Sequence, residues 1–284
     1  CGGSARQERE DERDRAEARQ STPILVAGAS AHRSAAEEGI AGPHEGHLTP
    51  KVYLICGISR ANRLLHFAAV TTHAPDIDAL AADHGAEALS ARQVVDAMVE
   101  RFGDRVALAC SFQREEAVLL DMLLTANPRA RVFALDTGVL FPETYATWRA
   151  VEKRYGIEIE TVAGPSLGYQ AAAHGDKLWE SNPNLCCAIR KVEPLTRKLA
   201  GLDAWIVGIR RDQSPTRAHA QKIAWDETFE VWKAAPLADW CDHCVDEYIQ
   251  ERGLEVNPLH AQGYASIGCT FCTRPGSGRE GRWA

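Results

Sequence analysis

Val106-Ala-Leu-Ala-Cys-Ser-Phe-Gln-Arg-Glu-Glu116 and Arg131-Val-Phe-Ala-Leu-Asp-Thr-Gly138 each join a short apolar run to a polar turn. The runs Val106–Cys110 and Arg131–Leu135 have the length and apolar content of buried parallel strands. After the first, Arg114 to Ala126 carries apolar residues at helical spacing; after the second, Pro142 opens a helix as a first-turn proline, and Gly156 closes it beyond Tyr155. Ile157–Val162 and Ala204–Gly208 read as two more strands, with a helix from Cys187 to Ala200 between them. Repeated strand–helix units predict an α/β fold, a parallel sheet covered by helices on both faces. Such sheets bind ligands at the carboxyl ends of their strands, so the polar turns should share one rim.

Outside this core the sequence is less informative. Residues 6–20 mix both charges with almost no apolar content, which cannot repay the entropy of ordering. Residues 21–75 show no sustained period, so residues 1–75 are expected to be a poorly ordered extension and residues 76–284 the functional domain. A formal net charge of -7 argues against a broad nucleic-acid footprint. No apolar run is long enough to span a bilayer and no signal peptide is evident, so a cytoplasmic location is expected. In that reducing setting the nine cysteines suggest metal or redox chemistry rather than a disulfide framework.

Four motifs carry chemistry. Ser111, Phe112 and Gln113 lie at a strand-to-helix turn, whose free N–H groups suit a phosphate or sulfate; a plain helix cap accounts for Ser111 equally well. Asp136, Thr137 and Gly138 end the next strand and suit a ribose or adenine edge, although such triplets also form simple turns. The most informative motif is the adjacent pair Cys186-Cys187 with the later Cys269-Thr-Phe-Cys272, four thiolates able to hold a [4Fe–4S] cluster. Arg190 and Lys191, one turn away, would offset its charge. A rival zinc site pairs Cys241-Asp-His-Cys244 with Cys269 and Cys272, at a spacing slightly wider than usual for zinc ribbons. The last motif is basic: Arg210 and Arg217 after a strand, with Arg274, Arg279 and Arg282 near the end of the sequence, as forked donors for phosphate or sulfate oxygens.

With Cys186-Cys-Ala-Ile-Arg-Lys-Val-Glu-Pro-Leu195, Ile267-Gly-Cys-Thr-Phe-Cys-Thr-Arg274 and Gly278-Arg-Glu-Gly-Arg-Trp283, these motifs resemble the sulfonucleotide reductases, in the iron–sulfur branch that acts on adenylyl sulfate. The resemblance spans residues from about 76 to 284. It implies an adenine-nucleotide alpha-hydrolase-like fold and a [4Fe–4S] cluster on Cys186, Cys187, Cys269 and Cys272. It implies thioredoxin-dependent reduction of adenylyl sulfate to sulfite and AMP, in sulfate assimilation and cysteine biosynthesis. Lys191, Arg279 and Arg282 would contact the phosphosulfate, with Arg210 and Arg217 as lesser candidates, and the loops around Ser111 and Asp136 would hold the nucleotide. The family's nucleophile is a cysteine in a Glu-Cys-Gly-Leu-His-like tail. The sequence stops at Trp283-Ala284 before any such tail, so a truncated form that binds without turning over is expected.

The alternatives are a reductase of the 3'-phosphorylated substrate and a zinc-stabilised nucleotide-binding module without catalysis. An ATP-dependent thiolation enzyme would carry Ser-Gly-Gly-x-Asp-Ser where this chain has Ser111–Glu116. A homo-oligomer is compatible with the sequence.

Overall fold

The computed structural model describes residues 76–82, 85–278 and 280–282; the N-terminal reading of residues 1–75 lies outside them, as does Arg279. Six strands form one sheet: β1 (Val106–Ala109), β2 (Arg131–Asp136), β3 (Glu160–Ala163), β4 (Ala204–Ile206), β5 (Ile223–Asp226) and β6 (Val231–Ala234). Their order is β3-β2-β1-β4-β6-β5, parallel throughout except for the antiparallel pairing of β5 with β6. The helices are α1 (Ile77–Ala82), α2 (Ala91–Phe102), α3 (Arg114–Ala126), α4 (Pro142–Tyr155), α5 (Leu167–His174), α6 (Leu178–Ser181), α7 (Pro183–Cys187), α8 (Glu193–Leu199) and α9 (Asp242–Arg252). Among the described residues no helix is long and apolar enough to cross a membrane.

Strand side chains alternate between faces, and the core divides accordingly. Val106, Leu108, Val132, Ala134, Ala204 and Ile206 join one apolar cluster with residues of α2, α3, α4 and α9. Ala107, Phe133, Trp205 and Val207 join a second, on the α8 side, with Leu199 and Leu202. Both faces are therefore covered, as the near-continuous apolar strands require.

The predicted bounds of α3 and α4 agree with the structure, and Gly156 ends α4 in the left-handed region at φ 63°. The third strand is shorter than expected. Ile159 packs in the core, but its N–H donates to the Glu152 side chain at 2.9 Å, so pairing begins at Glu160. The helix expected at Cys187–Ala200 starts earlier, at Pro183, and widens into a π turn over Ala188–Val192. Pro194 explains the widening: it has no N–H to donate to Arg190, and its ring would crowd that carbonyl in a regular helix.

Ile206 is fully buried between β1 and β6. Truncation of Ile206 to Ala is expected to cost about 2–5 kcal/mol of stability, measured by urea unfolding of the two proteins.

Candidate functional site

The strand order reverses between β1 and β4, which opens a crevice at their carboxyl ends. Four loops meet there. After β1, Phe112 takes a left-handed backbone (φ 59°) and buries its ring against Trp148, with centroids 5.0 Å apart. This turns the chain sharply into α3, so Phe112 shapes the loop but offers no side chain to a ligand. The α3 N-terminus is already filled: Glu116 Oε2 accepts from Ser111 Oγ at 3.0 Å and from the Gln113 N–H at 3.2 Å. Gln113 donates to Ser111 Oγ at 3.1 Å and accepts from the Ile267 N–H at 2.9 Å, tying this loop to the segment that precedes Cys269. Burial, then the neighbouring Glu115, raise the Glu116 pKa to about 7.

After β4, Gly208 lies so close to α3 that a Cβ there would come within 2.8 Å of Glu115 Cβ. Arg210 is buried with every nitrogen engaged. Nε donates to Glu115 at 2.9 Å, Nη1 to Asp212 at 2.7 Å and to the Trp240 carbonyl at 3.1 Å, and Nη2 to Asp242 at 2.6 Å. The anion-binding role expected of Arg210 is not what its contacts supply; it ties β4, α3 and the start of α9 together. Arg217 hydrogen-bonds Gln213.

After β2, Asp136 Oδ1 accepts from the Gly138 N–H and from Tyr145 Oη, both at 2.7 Å. Burial and then this bond push the Tyr145 pKa up to about 12. Gly138 has φ 70°, and a Cβ there would meet Arg190 Nη2 at 2.9 Å. Arg190, itself buried, donates to the Thr137 carbonyl, and at 3.2 Å to both Pro165 O and Gln170 Oε1. On its other side this loop holds the last one: Leu140 forms an antiparallel bridge with Cys269, the Thr270 N–H donates to Val139 O at 2.9 Å, and Thr137 Oγ1 lies 3.3 Å from Cys269 Sγ.

These ties bring Cys186, Cys187, Cys269 and Cys272 into one pocket with Val139, Trp179, Arg190, Lys191 and Phe271. The structure thus joins the two distant cysteine pairs. Cys186 is raised by burial and by Cys187; Cys272 is raised by burial and by the other three thiols, with Lys191 opposing. Phe271 stacks on Trp179 at 4.3 Å, nearly parallel, and the buried Trp179 indole N–H has no partner among the described residues. Arg282 donates to Ser266 Oγ and Ile267 O, both at 3.3 Å, and lies flat on Gly268, where a Cβ would come within 2.6 Å of its Cζ.

Cys241 and Cys244, the other half of the zinc alternative, do not line the pocket. Among the described residues no three His, Cys, Asp or Glu side chains converge tightly enough for a single metal ion. Sequence reasoning did not single out Glu116, Gln170 or Trp179. Glu116 had a legible signal in its position three residues after the cap; Gln170 and Trp179 sit in short helices whose pattern carries none.

A doubly covered, mainly parallel sheet with a reversal-point crevice and a four-thiol pocket at its rim defines a nucleotide-binding α/β protein. The chain belongs to the phosphoadenosine phosphosulfate reductase domain family, whose model matches residues 105–275. It is 46% identical over 189 residues to adenosine 5'-phosphosulfate reductase 2 of Bacillus subtilis (strain 168), covering 64% of this chain and 80% of the relative. It is 45% identical over 204 residues to the adenosine 5'-phosphosulfate reductase of Bacillus mycoides (strain KBAB4), covering 70% and 87%. The crystal structure of phosphoadenylyl-sulfate reductase from Candida auris, a phosphate complex, superposes with a TM-score of 0.60 at 30% identity over 72% of this chain and 97% of that one. The adenine-nucleotide alpha-hydrolase-like fold expected from the sequence is the fold observed.

The Glu116 pKa has a consequence for stability. The carboxyl is raised in the folded state from an ordinary 4.5 to about 7, so between those values the folded chain holds a proton that the unfolded chain has lost. Stability should therefore fall as pH rises through that window. Relative to Glu116→Gln, which keeps the shape without titrating, the native protein should lose about 3 kcal/mol between pH 4.5 and 7.5. Parallel pH dependences of the two unfolding free energies would refute this.

Proposed function

We propose that this protein reduces adenylyl sulfate to sulfite and AMP in sulfate assimilation, with a [4Fe–4S] cluster on Cys186, Cys187, Cys269 and Cys272 and thioredoxin as the reductant. The observation that carries this reading is the convergence of the two cysteine pairs at the nucleotide crevice, in a chain 46% identical to a named adenylyl-sulfate reductase. The pocket fits such a cluster. Its donors are four soft thiols with no carboxylate among them, its charged neighbours Arg190 and Lys191 are both cationic, and the unpartnered Trp179 N–H is a donor beside an anionic body. When bound, the cluster supplies a rigid, compact charge held by thiolates. Cysteine ligands of this kind stay reduced in the cytoplasm, the compartment the reading requires.

The chain's own residues then divide the work. Asp136 accepts from Gly138 and Tyr145 on Oδ1, which leaves Oδ2 for a ribose hydroxyl. Gly138 permits close approach of the backbone to the nucleotide. Lys191 lines the pocket without an ion pair among the described residues, so its ammonium is available to the sulfate oxygens. Arg282, steadied on Gly268, and Arg279 add forked donors for the phosphosulfate. A thiolate from the tail that the family resemblance implies attacks the sulfur, displacing AMP and leaving a thiosulfonate. Thioredoxin's dithiol then delivers two electrons, releasing sulfite and restoring the thiol as its own disulfide forms.

Sulfite release by the full-length protein with thioredoxin should be faster, by on the order of a hundredfold in kcat/KM, with adenylyl sulfate than with its 3'-phosphorylated form. Equal or greater use of the latter would assign the protein to the other substrate. Protein purified without oxygen should contain iron and acid-labile sulfide, and Cys186→Ala or Cys272→Ala should lose both. Zinc without sulfide would eliminate the cluster.

A further inference from the structure

Cys241 and Cys244 take no part in the pocket. Cys241 is the N-cap of α9, with extended backbone (φ -85°, ψ 166°), and Cys244 sits one turn into the helix, its N–H donating to Cys241 Sγ at 3.2 Å. Both are free thiols; Cys241 is exposed and Cys244 half-buried. An N-cap and the third helical residue lie within the separation that a disulfide spans. Contact with the Cys244 side chain, then its N–H, holds the Cys241 thiol below its ordinary value. The exposed Cys241 sulfur, which accepts from a helix N-terminal N–H, is thus placed to attack, with Cys244 one turn behind it to resolve. Asp242, between them, does not oppose the thiolate with an unpaired charge, because its carboxylate accepts from Arg210 and Arg114, each at 2.6 Å. By contrast Cys110 is buried, and burial, then Glu116, hold its thiol well above the ordinary range.

We propose that Cys241 and Cys244 form a redox-active dithiol, separate from the four-thiol pocket, that exchanges with a small aliphatic disulfide. The Cys241 thiolate attacks one sulfur of the disulfide. The S–S bond breaks, and the departing thiolate takes a proton from water, leaving a mixed disulfide on Cys241. Cys244 releases its proton to water and attacks Cys241 Sγ, expelling the second thiolate, which is protonated in turn. Two electrons have then passed from the pair to the small disulfide, giving one intramolecular disulfide and two small thiols; excess thiol reverses the sequence.

The pair can be followed by itself, since trypsin releases residues 234–252 as one peptide containing Cys241 and Cys244 and no other cysteine. The cluster-loaded full-length protein is equilibrated without oxygen in glutathione buffers, from fully reduced to fully oxidised, and quenched by alkylation. The peptide should pass from doubly alkylated to unlabelled and two hydrogens lighter, and return with excess glutathione. Under reducing conditions Cys241 should alkylate on the order of tenfold faster than Cys244. Cys244→Ser should stop at a glutathione adduct on Cys241, and Cys241→Ser should form no disulfide, with iron and sulfide retained in both. A doubly alkylated peptide across the whole range, no adduct in Cys244→Ser, or loss of iron in either variant would overturn the proposal. None of these outcomes bears on which sulfonucleotide is reduced.

Discussion

The site depends on the peptide at Thr137. Its carbonyl accepts from the buried Arg190 guanidinium, and its hydroxyl meets Cys269 Sγ at 3.3 Å. One residue at the end of β2 therefore bridges the helix that carries Cys186 and Cys187 to the loop that carries Cys269 and Cys272. Arg190 is held for this by Pro165 O and Gln170 Oε1, and Gly138 provides the room, since any side chain there would strike the guanidinium. A buried charge is tolerated only with its donors satisfied. Here that requirement itself sets the loop geometry, because the carbonyls of three loop and helix segments must converge on one planar fork.

The same logic explains why Arg210 behaves differently from its appearance in the sequence. A cation at the end of a central strand, beside a helix N-terminus, invites an anionic ligand. Glu115, Asp212 and Asp242 fill that demand from within the chain, and Glu116 supplies the carboxylate at the α3 N-terminus. Lys191, by contrast, lines the thiol pocket and has no ion pair among the described residues.

What was legible in the sequence followed from local rules. Pro142 and Gly156 set the ends of α4 through their own backbone preferences, and the apolar runs of β1, β2 and β4 are long enough to identify buried strands. The β5–β6 hairpin carries no such signal. It is an edge pair whose alternation is interrupted, with Trp225 half exposed and Lys233 turned to Asp226, so its identity comes from pairing with β4 rather than from its own pattern. In the site, cysteine spacing identified the four pocket residues because few other uses need adjacent thiols. Whether a cation is free or consumed was beyond reach, since Glu115 and Asp242, which consume Arg210, are brought to it by long-range folding.

Three helix starts on this rim show how side-chain caps divide structure from chemistry. The N-terminus of α3 is closed by Glu116 and that of α7 by Asn182, whose side chain accepts from the Leu185 N–H at 3.0 Å. Both caps are oxygen acceptors. At α9 the acceptor is the sulfur of Cys241, a softer and more polarisable atom than the oxygens that usually cap helices. The first turn needs an acceptor in either case, so a thiol satisfies the fold while retaining an ionisable, oxidisable lone pair at an exposed position. The structural demand and the redox capacity of that position are therefore met by the same atom. Folding alone places Cys241 and Cys244 one turn apart, without help from the crevice or from any ligand.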